Sequence, residues 1–112
     1  MCDEYNGWTN HPTWLVALWL SNEQRSYHHA RELAIACRRV APYHWLVQES
    51  VWTVEDAARI VLADEVRDWI EGDRPLADDA SLYTDLMGWV LATVNWQEIA
   101  DNILSELEED DE

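Results

Sequence analysis

Apolar residues recur at i, i+3 and i+4 along most of the chain, the spacing of helices with one buried face, rather than at every second position as in strands. The first such stretch begins near Asn10 or His11 and runs through Trp14, Leu15, Leu18 and Trp19 to about Glu23. Pro12 falls in its first turn, where a missing N–H breaks no helical hydrogen bond. Its apolar residues lie on most sides, which predicts a central place in the fold. A second helix is expected with Ser26 as its cap and Tyr27, Ala30, Leu33, Ala34, Cys37 and Val40 on one stripe. Arg31, Arg38 and Arg39 take its wet side, and Pro42 stops it. Residues 43–50 fit either a short helix or a packed connection.

Thr53 and Asp56 have the spacing of a capping pair, and Ala58, Val61, Leu62, Val66 and Trp69 follow as a third stripe that Gly72 ends. After a polar loop over 72–79, which contains Pro75, a fourth helix is expected to start within 78–81. It should bury Leu82, Leu86, Val90 and Leu91, with Gly88 allowing a neighbour to come close. Asn95 and Glu98 form an N-cap pair for a last helix carrying Ile99, Ile103, Leu104 and Leu107. With three Gly, three Pro and few β-branched alternations, the pattern predicts an all-α fold: one small domain of about five helices. Eight Trp and no Phe make Trp the main source of bulk, mostly in the core, although Trp8 and Trp45 fall on no clear stripe.

Composition adds a size and a sign. A chain of 112 residues that is 48% apolar can bury one core. The seven basic residues, all Arg, face 23 acidic ones, for a net charge of −16. A chain so charged is repelled by nucleic acid and by an anionic membrane surface, so direct contact with either is not expected and the partner should be basic. The longest apolar run, 14–20, is far short of the roughly 20 residues of a membrane span, and no signal region opens the chain. Two cysteines, Cys2 and Cys37, are too few for a disulfide framework. These features predict a protein of the cytoplasm.

The charge is divided unevenly. Residues 1–54 hold five acids and four Arg, a net of −1, whereas residues 55–112 hold 18 acids and three Arg, a net of −15. Excess negative charge can serve solubility or adaptation to salt, but salt adaptation should spread the acids over the whole surface. The tail over 106–112 has six acids in seven residues and is expected to fray. In the third helix Asp64 and Asp68 stand one turn apart, with Cβ atoms about 5–6 Å from each other, and like charges so placed repel. Carboxylates at that spacing approach the separation of successive phosphates, so an acidic helix can imitate nucleic acid before a protein that binds it. The candidate contact residues are Glu55, Asp56, Asp64, Asp68, Glu71, Asp73, Asp78 and Asp79, with Trp8 as a second contact.

Catalytic chemistry finds little support. His28, His29, Cys37 and His44 are the only cluster with metal-ligand side chains, but imidazoles on adjacent helical residues point about 100° apart. Cys37 sits between Leu33 and Val40 and reads as a small core residue. No phosphate loop, nucleophile elbow or H-E-x-x-H is present, so no enzyme, cofactor or metal is expected. The weakest alternative is a metal-dependent enzyme using His28, His44 and nearby acids.

Tyr5-Asn6-Gly7-Trp8-Thr9-Asn10, followed by Thr13-Trp14 and 17–20, resembles a family of small uncharacterised phage and plasmid domains opening N-G-W-T-N-x-x-T-W. Ser81-Leu82-Tyr83-x-Asp85-Leu86 and Val94-Asn95-Trp96-x-Glu98-Ile99-Ala100 are similar to its closing signature. The chain departs from it at His11 and Pro12, where members usually carry an aromatic or charged residue and Glu. The resemblance implies an accessory gene of a mobile element and carries over no catalytic residue. In composition the acidic half is similar to phage antirestriction DNA mimics. The expected function is therefore an anti-CRISPR or antirestriction inhibitor, a DNA mimic acting on a basic nucleic-acid-binding protein in the host cytoplasm. The alternative is an interaction module docking through the Trp-rich opening motif, its acids serving solubility or salt adaptation. The near-neutral face leaves room for a homodimer.

Overall fold

The computed structural model describes residues 4–73 and 82–110. The described chain is all-α: α1 (His11–Asn22), α2 (Gln24–Val40), α3 (Trp45–Gln48), α4 (Val54–Asp73), α5 (Leu82–Ala92) and α6 (Trp96–Asp110), with a 3₁₀ turn at Ala41–Tyr43. The region left open by its sequence is thus the 3₁₀ turn followed by the single-turn α3. The expected polar loop from 74, the start of the fourth helix at 78–81, and Cys2 lie outside the described residues.

Local chemistry sets the helix starts. Asn10 caps α1, its Oδ1 accepting from the Thr13 backbone N–H at 2.9 Å, with Pro12 in the first turn as expected. The cap of α2 is not Ser26 but Glu23, the single residue between α1 and α2. Its carboxylate accepts from the backbone N–H and the hydroxyl of Ser26 at 2.7 and 2.6 Å. The roles are reversed because Glu is long enough to reach a donor three residues on from an extended backbone. Those two bonds hold the Glu23 carboxyl below its ordinary range. Thr53 and Asp56 cap α4 reciprocally, at 3.1 Å from the Asp56 N–H to the Thr53 hydroxyl and 3.4 Å in return.

The centre belongs to α2, α4 and α6, which pack on one another, while α1 leans on α2 and α6. Leu62, Val66 and Ile99 are almost wholly buried, alongside Ala34, Ala57, Ala63 and Ala100. These small side chains let the helix backbones come close. The expectation that α1 is central fails, because it buries only Thr13, Ala17 and Leu20 and leaves Leu15, Leu18 and Trp19 exposed. Tryptophan lies at the rim more than at the centre. Trp96 is buried, Trp8 and Trp69 pack partly buried against the main core, and Trp52 does so against Ala41, Ala57 and Ala58. Trp19, Trp45 and Trp89 are 63%, 67% and 70% exposed.

The two closing helices differ from their patterns in opposite ways. Of the four residues expected to be buried by α5, only Leu91 packs against the core, and Leu82, Leu86 and Val90 are exposed. The reason is the lack of a neighbour: α5 makes no substantial packing with another described helix. The acidic stretch expected to fray from Glu106 instead stays helical through Asp110, since Leu107 is buried and ties that turn to the core.

Candidate functional site

The acids of α4 do not form one array. At about 100° per residue, Asp64, Asp68 and Glu71 fall at i, i+4 and i+7 within roughly a 60° arc. That arc lies opposite the side buried by Leu62 and Val66. Asp64 and Asp68 are exposed, and no ion pair involves them among the described residues. Glu71 is half-buried and meets Arg67 Nε at 4.0 Å, across solvent-exposed side chains, a contact worth about 0–1 kcal/mol.

Asp56 is engaged otherwise. It caps α4 and accepts from Arg59 Nη2 at 3.1 Å, and hydrogen bonds from Thr53 hold its carboxyl below the usual range. Glu55 precedes Asp64 by two and a half turns and so takes the opposite side of the helix. There it lines a cleft between α4 and α6 with Asp101, Glu108, Arg38 and Arg59, where Arg38 and Glu108 pair at 2.9 Å. Of the eight residues expected at the contact, Asp64, Asp68 and Glu71 thus share the outer side of α4, and Glu55 and Asp56 lie apart from them. Asp73 ends α4; its side chain, together with Asp78 and Asp79, lies outside the described residues.

The opening motif builds a different structure. Tyr5 and Trp8 exchange two backbone hydrogen bonds of 2.8 Å around Asn6 and Gly7, whose φ angles are +50° and +89°. Positive φ at both central residues is the tight turn that Asn-Gly favours. Beyond it, Thr9 N–H donates to Glu98 Oε1 at 2.9 Å, Asn10 Nδ2 to the Thr93 carbonyl at 2.7 Å, and Asn95 Nδ2 to Thr9 Oγ1 at 2.9 Å. The fully buried Thr13 gives its hydroxyl proton to Asn10 Oδ1 at 2.6 Å and accepts from Asn95 N–H at 2.9 Å.

Asn95 does cap α6, accepting from Glu98 N–H at 3.1 Å, but the Glu98 carboxylate reaches Thr9 instead of returning to Asn95. The two sequence signatures thus clasp each other. Nothing local in the sequence pairs Thr9, Asn10 and Thr13 with Thr93 and Asn95. The Asn10 to Thr13 spacing signals a helix cap and nothing about partners more than eighty residues away. Trp8, the second expected contact, packs half-buried against the core.

Among the described residues no group of three or more His, Cys, Asp or Glu is placed to hold a metal ion. His29 sits edge-on to Trp69, and His44 caps α3 by accepting from Leu46 N–H while stacking on Trp52. Cys37 is buried, and loss of solvent, with Glu65 nearby, pushes its thiol up to about 11. No described helix is long and apolar enough to cross a membrane.

No curated protein and no solved structure matches the chain. The opening turn, its clasp on 93–98 and the helices between them all fall within the match of residues 1–110 to DUF7249, a family of unknown function, to which this chain belongs.

Proposed function

We propose that the protein is a phage- or plasmid-borne inhibitor of a host defence system, CRISPR or restriction, that works without catalysis by imitating nucleic acid. It acts in the host cytoplasm, where the outer side of α4 occupies a groove lined by Lys and Arg. The observation that carries this reading is the row of Asp64 and Asp68, both exposed, with the half-buried Glu71 one turn on. Three other acids serve the fold: Glu23 and Asp56 cap helices, and Glu98 closes the clasp. Asp64 and Asp68 serve no such bond among the described residues, and their mutual repulsion costs a few tenths of a kcal/mol. A basic groove turns that cost into attraction and accelerates encounter at low salt.

The test reverses Asp64, Asp68 and Glu71 to Arg together. The expected result is loss of inhibition, measured as protection of an incoming plasmid in a host carrying the defence system, with an unchanged far-UV spectrum. Wild-type protein should also retain its basic partner on a column at about 50 mM salt and release it near 500 mM. Inhibition that survives the triple reversal would remove α4 as the contact.

A further inference from the structure

We propose that the protein pairs with a second copy of itself through the exposed apolar stripe of α5. This surface is separate from the acidic row and independent of the function proposed for it. On a helical projection Leu82, Tyr83, Leu86, Trp89 and Val90 share an arc of roughly 120°. Their exposures are 68%, 69%, 51%, 70% and 39%. The half-buried Met87 and Leu91 take the other side. The helix is apolar nearly all round, a pattern that in water belongs to an element covered on both sides. Here only Leu91 packs against the core.

Area and charge select the second copy as the occupant. With about 150–250 Å² for each aromatic side chain, the stripe offers on the order of 500–600 Å² of apolar surface. That reaches the upper end of what monomers leave open, about 300–600 Å², and approaches the ~800 Å² per partner of a standard interface. A stripe with no charged side chain needs no complementary charge and fits a two-fold copy of itself, as an isologous contact requires. Asp85 is the only charged residue on α5, whereas α4 and α6 hold most of the described acids. Two chains of −16 meet at least electrostatic cost where acids are fewest, with Asp85 at the edge of the stripe rather than within it.

The experiment is sedimentation equilibrium of the full chain at concentrations up to about 100 μM. The expected mass is twice the 13.1 kDa of one chain. Association should tighten as salt rises from about 50 to 500 mM, because screening weakens repulsion between the copies. Binding through α4 has the opposite salt dependence, so failure of either proposal is separable from failure of the other. Leu86→Glu with Trp89→Glu should weaken association roughly hundredfold while keeping the helical spectrum, since both side chains are already exposed. Leu82→Gln with Tyr83→Ser is the milder pair, expected to weaken it roughly tenfold. A wild-type mass of one chain throughout, or a dimer that survives both pairs or loosens with salt, overturns the proposal.

Discussion

Glu98 and Asp68 are both carboxylates on helices, yet their surroundings oppose each other. Glu98 accepts a backbone N–H at 2.9 Å from a residue 89 positions away, within a ring of hydrogen bonds that also engages Asn10, Thr13 and Asn95. Asp68 is exposed beside two further acids on the outer side of α4. Polar groups of the first kind are positioned by the fold and hold it in turn. Those of the second add charge at little cost to stability and leave it available to a partner. The difference shows why the acidic excess is not uniform in meaning: position on the helix decides between cap, clasp and open surface.

The contrast breaks most visibly at Thr13. Thr13→Val keeps the shape but removes both hydroxyl bonds and leaves the Asn95 N–H unpaired, at a cost of about 2–3 kcal/mol. The melting temperature, followed by circular dichroism, should fall by roughly 10–15 °C. A fall under about 2 °C would mean that water replaces the clasp without loss.

A smaller effect is expected at Cys37, a titratable group on the buried side. Burial pushes its pKa up to about 11, above the ordinary thiol range near 9, so folding favours the neutral thiol. The resulting stability is fully present below pH 9 and is lost as pH rises through 11. At pH 10 the loss should be about 1 kcal/mol relative to Cys37→Ala, read from urea unfolding of both proteins. Equal pH slopes would show that the thiol ionises as freely in the folded protein as in the unfolded one.

The smallest effect sharpens the other side. Asp64→Asn, Asp68→Asn and Glu71→Gln together should raise the low-salt melting temperature by about 1–3 °C and reduce its increase with added salt. An unchanged salt slope would mean that repulsion on α4 is already relieved.

Much of the fold was legible because periodicity and caps are local. Asn10, Thr53 with Asp56, and Asn95 each mark a helix start that the structure keeps. What was not legible depends on neighbours. Leu82, Leu86 and Val90 have helical spacing, but spacing alone does not supply a helix to cover them, and no described helix packs substantially on α5. The same limit explains Trp19 and Trp89, whose size suggested the core. Glu55 is a different case: its half turn of phase from Asp64 follows from their nine-residue spacing alone, and grouping the acids by composition hides it. The row at Asp64, Asp68 and Glu71 was readable because three residues on one helix need no partner to define their spacing.

The clasp also sets an order of events during synthesis. Thr9, Asn10 and Thr13 leave the ribosome early, whereas Thr93, Asn95 and Glu98 follow some eighty residues later. At about 5–20 residues per second, the early segment waits roughly 4–16 s for its partners. Until then α1, with Leu15, Leu18 and Trp19 exposed even in the finished fold, offers an apolar surface to whatever is near. Closing so long a loop is slow relative to forming the helices themselves. The clasp therefore cannot close before residues 93–98 have been made, and translation speed sets how long its early half waits.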